Sequence, residues 1–427
     1  MKAQILFIVM MLFLATKASS GAGDLDQSFG IRGITYTDFF GRTDVLSKLV
    51  IDEDGKIIMS GSATKNYSND HFAISRYGVD GVLDESFGRH GLVATRNIAP
   101  NKTIEEGIFA CGLQKNKTLV VAGRGVFDGL GGLLLLRYTD NGSLDLSFGD
   151  NGSAFVPDAE KNFTPLELTI DDNDQIIVVA SAFGTEHEAS FAVFRFNAEG
   201  SLDKSFGQGG KVLTKIAPGI DVPRAVKIDK EGRIVVAGFS GANQFVVLRY
   251  TSLGVLDTSF AHEGIATIHF HENGIDTLHA LAIQEDGKIV VGGDVQVGSF
   301  AGLRMVDFGL ARLLPNGELD MSFNNEGTQI TYFVEKAAST LWALSLQSDG
   351  KIIAVGDASL VHGLGIARYN VDGSLDQSFG QEGKSIIPFE RTSHWEAVSI
   401  QKDGKIVAGG YVWNGKQYDV AIARIEP

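Results

Sequence analysis

The chain has 427 residues, 44% of them hydrophobic and 21% charged, with 52 Gly, 8 Pro and one Cys. Abundant glycine without a Gly-X-Y period excludes collagen, and Pro plus Gly below about 25% excludes a low-complexity disordered chain. With 37 Lys plus Arg against 52 Asp plus Glu, a formal charge of −15 and no long basic run, the composition argues against a nucleic-acid partner.

Residues 1–20 read as a secretory signal, with Lys2 as the basic start, Ile5 to Ala15 as the apolar stretch and Ala18-Ser19-Ser20 as a small-residue cleavage site. The apolar stretch is shorter than the roughly 20 residues of a membrane-spanning helix, so export without an integral membrane segment is expected. Cleavage before Gly21 leaves 35 basic against 52 acidic residues, a formal −17. A secreted, periplasmic or cell-surface location permits disulfides, yet Cys111 is alone and sits in the apolar run Ile108 to Cys111, as expected of a buried, inert thiol.

From Leu25 onward the chain repeats itself. The motif Leu-Asp-x-Ser-Phe begins at Leu25, Leu83, Leu144, Leu202, Leu256, Leu319 and Leu375, at intervals of 58, 61, 58, 54, 63 and 56 residues. A β-prone run follows each motif, as at Gly33 to Tyr36 and Gly210 to Leu213; then come an alternating run such as Ala225 to Ile228, a tight turn and two more apolar runs. The turn holds Asp-Gly or Glu-Gly at Gly55, Gly232, Gly287, Gly350 and Gly404, the chemistry of hairpins with positive φ, while Asn116-Lys117 and Asn173-Asp174 depart from it. Four short strands per unit and seven units predict an all-β fold, a seven-bladed β-propeller over residues 21–427. The alternative, a β-solenoid, has shorter rungs.

The chain begins on a motif and ends on a final strand. The segment Gly33 to Phe40 is therefore an orphan outer strand that should complete the blade built from residues 394–427. An Arg lies eight residues before the motif Asp in six copies (Arg76, Arg137, Arg195, Arg249, Arg312, Arg368), leaving Arg424 and Asp26 as an unmatched pair that should meet across the closure. The motif Phe is expected to wedge between blades and the motif Ser to bond within its turn.

These units resemble the delta-60 repeat, a β-propeller repeat of bacterial secreted and surface proteins. The resemblance rests on the Asp-Gly-Lys-Ile segments at Asp54, Asp286, Asp349 and Asp403, on Ala367-Arg368-Tyr369, and on the run Asp372 to Gly380; Ala261 and Asn324 depart where Gly otherwise follows Phe. It implies a propeller and brings no catalytic residue with it.

Functional residues should be those that break the repeat. Length varies only between motif Phe and hairpin, and between hairpin and Arg, connections that emerge on one face of a propeller, where uneven loops on a rigid frame suit recognition. That loop face should carry Trp342, Trp395, His394, His279, Arg224, Glu105, Glu106 and Asp276 near the inner strands, and His71, Asp128, His187, Asp294, Arg304, His362, Trp413 and Tyr418 in the longer loops. Tryptophan and tyrosine among carboxylates suit a protein or glycan partner, though Trp342 and Trp395 could equally plug the funnel. No Gly-x-Ser-x-Gly elbow, His-Glu-x-x-His helix or phosphate loop is present. His269 and His271 lack a third metal ligand, and Asp52 to Gly55 and Asp171 to Asp174 read as turns rather than calcium loops. No cofactor is implied; the expected function is a binding or scaffold propeller. The alternative is a hydrolase or lyase acting on a glycan or lactone at the central funnel, with calcium as a conceivable aid. Six Asn-x-Ser/Thr sequons, at Asn66, Asn101, Asn116, Asn141, Asn151 and Asn162, read as turn composition.

Overall fold

No single copy can bury both faces of its sheet, and in the computed structural model seven copies stack side by side as seven antiparallel sheets. Residues 21–65, 68–99, 101–158, 161–184, 188–271, 274–300, 303–334, 337–358 and 362–427 are described, with backbone only at 68–70, 106, 300 and 303. The expected signal segment, Asn66 and His187 lie outside them. All elements among the described residues are strands, and no helix is long and apolar enough to cross a membrane.

Blade 1 is β2 to β5 (44–95), blade 2 β6 to β10 (97–157), blade 3 β11 to β14 (162–214) and blade 4 β15 to β18 (222–268). Blade 5 is β19 to β22 (277–331), blade 6 β23 to β26 (339–387), and blade 7 β27 to β29 (393–425) with β1 (34–37) as its fourth strand. Six sheets have four strands as expected; blade 2 gains β6 as a fifth, on the inner side of β7. The two chain ends do share one sheet, with Ile34 opposite Ala423 and Thr37 opposite Val420.

The recurrent Arg and the motif form one structural unit. In all seven copies the Arg Nε donates to the motif Asp at 2.7 to 2.8 Å, including Arg424 to Asp26. Its guanidinium lies 4.6 to 4.9 Å over the motif Phe ring. The other Asp oxygen accepts the motif Ser hydroxyl at 2.6 to 2.7 Å. The unit is more buried than a surface pair: Arg76 is 2% exposed and Asp26 3%. Burial opposes ionisation of Asp26, but bonds from Lys405 and Ser28 and the charge of Arg424 hold its carboxyl well below the usual carboxylate range.

The motif Phe is the expected wedge. Phe87 and Phe148 are at most 1% exposed, and their rings press on Gly142 and Gly200 of the next blade's turn, where a Cβ would lie about 3 Å from the ring. At the departures from glycine, Lys117 and Asp174 still adopt φ of 65° and 59°, and Ala261 and Asn324 φ of 44° and 51°. Repeat geometry thus overrides local preference, at a cost of about 1 to 2 kcal/mol for an L residue.

Candidate functional site

Each blade's second strand meets its inner strand through a register shift. The shifts at Leu46/Lys48, Pro165/Glu167, Pro223/Ala225, Leu278/Ala280, Leu341/Ala343 and Trp395/Ala397 leave one extra residue in the inner strand, and β7 of blade 2 is irregular between Glu106 and Ala110. The extra residues are Ser47, Leu166, Arg224, His279, Trp342 and Glu396, all different. A bulge re-aims its side chain, and these sit where the inner strands converge on the axis. The central cavity, about 190 Å³, is lined by inner strands of all seven blades and includes Ser47, His279, Trp342 and Glu396.

Deeper in, Lys48 of blade 1 meets Glu167 of blade 3 at 3.0 Å across the channel. Cys111 lines the same cavity, and burial pushes its thiol up to about 12.

On blades 5 to 7 the bulge residues at the mouth level of the inner strands join a cluster of aromatic and acidic side chains. Trp342 stacks obliquely on His279 with ring centres 4.4 Å apart and donates its Nε1 proton to Asp357 Oδ2 at 3.1 Å. The same carboxylate meets His394 Nδ1 at 3.2 Å, while its other oxygen accepts the Trp395 amide at 2.9 Å. Asp294 does the equivalent one blade earlier, accepting the Leu341 amide at 3.1 Å and facing His279 Nε2 at 3.5 Å. From His394 the aromatic series runs outward to Tyr411 (5.1 Å) and Tyr418 (6.0 Å), and from Tyr418 to Trp413 (5.1 Å). Tyr411 donates its hydroxyl to Glu396 at 2.8 Å. The hydrogen bond to Asp357 raises the His394 pKa above its ordinary value against the opposing effect of burial. Tyr411 is raised as well, first by burial and then by Glu396. Arg224 is lowered by burial, with the charges of Glu396 and Asp294 acting the other way.

His394, His279, Trp342, Arg224, Asp294, Trp413 and Tyr418 therefore lie in one region. Two expectations are corrected. Trp395 is 0% exposed and packs against Phe389, because it occupies the core position held by Leu46, Leu278 and Leu341 in other blades, just before the bulge. Asp276 is 1% exposed and its carboxylate accepts the amides of Phe270 and Gln296, a loop-closing role that Asp221 repeats with Ile216 and Gly241. Glu105 is half-exposed and held by Arg124 of its own blade, which also bonds Asp158. His71 packs on Phe40, Asp128 pairs with Asn101, and Arg304 and His362 are exposed. His269 and His271 are exposed beyond the end of β18, and the two acidic tetrads are hairpin turns closed between Asp52 and Lys56 and between Asp171 and Gln175. Sequence reading missed Asp357, Glu396 and Tyr411. For two of them the signal lay in the repeat: Asp357 and Tyr411, like Asp294, stand at the second-strand position that Ser62 and Ser181 hold in other blades, whereas Glu396 is the extra residue of its bulge.

A family model described as a domain of unknown function (DUF5122) beta-propeller matches residues 53–87, 114–148, 174–206, 231–260, 284–323, 347–379 and 401–427. No curated protein matches the sequence. Among solved structures, the polysaccharide lyase Uly1 superposes with a TM-score of 0.51 at 10% identity, covering 95% of this chain and 97% of its own. A protein of unknown function from Dyadobacter fermentans gives 0.46 at 11% identity, covering 93% and 100%. An α-L-arabinanase from Penicillium chrysogenum gives 0.43 at 12% identity, covering 92% and 96%. At such identities the first likeness speaks to the fold alone.

Proposed function

On the premise that the chain belongs to the DUF5122 β-propeller family, we propose that it is an exported glycan-binding propeller whose site is the aromatic series at the mouth of the central cavity. One observation carries this reading. His279, Trp342, His394, Tyr411, Tyr418 and Trp413 form a run of rings from the axis to the outer loop of blade 7, interleaved with Asp357 and Glu396. Aromatic faces bury the C–H faces of sugar rings, and fixed carboxylates accept sugar hydroxyls. The bulges bring in His279, Trp342 and Glu396, because they are where a repeating frame presents non-repeating side chains to one space.

A second reading, a lyase or hydrolase acting on a glycan at the same mouth, is favoured by two pairs, His394 with Asp357 and Tyr411 with Glu396, within hydrogen-bond reach. At 10% identity the frame shared with a polysaccharide lyase transfers no residue role, so this reading rests on those pairs alone.

A glycan array probed with the purified protein tests the first reading, and incubation of the retained glycans followed by detection of new reducing ends and of unsaturated uronate absorbance separates the two. Retention without products supports binding. Retention with products that vanish in Glu396→Gln supports the enzyme, and no retention of any glycan overturns both.

A further inference from the structure

The loop joining β1 to β2 brings three carboxylates together at the closure of the ring. Asp38 follows β1, Asp44 opens β2 of blade 1 and Asp419 lies on β29 of blade 7; each offers an oxygen, and these atoms lie within 4.8 Å of one another. Oxygens bound to one calcium ion at about 2.3 to 2.6 Å sit on a sphere no wider than about 5 Å, so the spacing is that of a shared cation.

Proximity of acids is common without a cation, and a separate feature distinguishes this cluster. Asp44 is 0% exposed; its Oδ2 accepts the Phe39 amide at 2.8 Å, but its Oδ1 is buried with no hydrogen-bond partner. A buried carboxylate oxygen left without a protein donor is costly, and the charges that act on it are the negative ones of Asp38 and Asp419. The other two members are already oriented by the protein. Asp38 Oδ1 accepts the amides of Phe40 (3.1 Å) and Gly41 (2.6 Å), and Asp419 accepts the side-chain amides of Asn414 (2.7 Å) and Gln417 (3.1 Å). Neutral donors of this kind aim carboxylates without neutralising them, and each carboxylate keeps further lone pairs free.

We propose that Asp38, Asp44 and Asp419 form a calcium site that fastens the N-terminal strand to the last blade. An all-oxygen donor set selects hard cations, and three carboxylates from three separate segments suit the adaptable coordination of calcium better than the rigid octahedron of magnesium. The site would be a second fastening of the ring on the loop face, opposite the Arg424–Asp26 pair on the motif side.

The test is calorimetric titration of EDTA-treated protein with calcium chloride and with magnesium chloride, alongside melting curves. The expected result is one calcium ion per chain, a melting temperature that rises with calcium concentration, and a weaker or absent magnesium response. Asp419→Asn and Asp38→Asn should each weaken calcium binding at least about tenfold, and Asp44→Asn should abolish it. Asp38 is exposed, so its variant folds even where the buried one does not. Absence of binding heat and of any melting shift at about 10 mM calcium would overturn the proposal, as would a calcium response unchanged in Asp38→Asn and Asp419→Asn. A third overturning result is a calcium response in Asp44→Asn equal to that of the parent, which would place any bound ion away from Asp44.

Discussion

Replacing Arg424 with Ala should destabilise the protein by about 3 kcal/mol, the low end of the roughly 3 to 5 kcal/mol for removing one partner of a buried ion pair and well above the roughly 0 to 1 kcal/mol of a surface pair. Burial selects the range: the Arg424 and Asp26 side chains are 9% and 4% exposed. The low end applies because Asp26 keeps Lys405 Nζ at 2.7 Å and the Ser28 hydroxyl at 2.7 Å. Arg424 also donates to Val79 O of blade 1 and stacks on Phe29 at 4.7 Å, and an alanine can do neither. Arg76→Ala provides the control, since Asp84 likewise keeps Lys56 at 2.9 Å and Arg76 stacks on Phe87 at 4.6 Å. The two differ in topology: Arg76 joins residues eight apart, Arg424 residues 398 apart. Urea denaturation should give similar losses for both, whereas limited proteolysis in native buffer should clip residues 21–40 only in Arg424→Ala, where β1 can peel away. Equal clipping in both variants, or a loss below about 1 kcal/mol for Arg424→Ala, would refute the clasp reasoning.

Phe148→Ala should cost about 3 to 5 kcal/mol in urea denaturation, since the ring is fully buried between blades 2 and 3. Ala261→Gly should stabilise by about 1 kcal/mol by relieving a φ of 44°, measured as a rise in urea midpoint. Asp307 is buried with Oδ1 unpartnered, and desolvation raises its carboxyl to about 7. The folded state therefore binds the proton more tightly than the unfolded chain, so this group's contribution is complete below about pH 4 and is lost as pH rises through 7, up to about 4 kcal/mol. Urea midpoints should fall between about pH 4 and 7 in the parent and fall less in Asp307→Asn. Asp320 has the opposite sign: bonds from Ser322, Lys288 and Arg312 outweigh burial and hold it at about 2, so its contribution stands above about pH 4 and disappears as pH falls through 2. Asp320→Asn should flatten the acid limb of the same profile.

The ring is legible because its signal is written seven times. The spacing of Leu-Asp-x-Ser-Phe sets the blade count, and the unmatched Arg424 and Asp26 set where the circle closes, a pairing that burial makes geometrically strict. The resemblance to a propeller repeat agrees with that reading without adding a site. The mouth is only partly legible. Trp342, His279 and His394 stand out as departures from the repeat, but Trp395 is misplaced when alternation is counted without the bulge beside it. Glu396 escapes for the same reason, since it is itself the extra residue. Asp357 and Tyr411 lie on second strands, where a polar residue in an apolar run reads as a strand end until its neighbours in space are known. The cluster of Asp38, Asp44 and Asp419 joins residues from opposite ends of the chain and has no local signal at all.

The claim on which the functional account depends is that rings at the mouth of the channel hold a sugar. Titration calorimetry of the best array glycan against the parent protein, Trp413→Ala and Trp342→Ala tests it most directly. The account predicts measurable binding to the parent that weakens about tenfold or more in each variant, the loss of about 1.4 kcal/mol that removing one stacking face entails. Affinity unchanged in both variants, with the fold intact by circular dichroism, would contradict it.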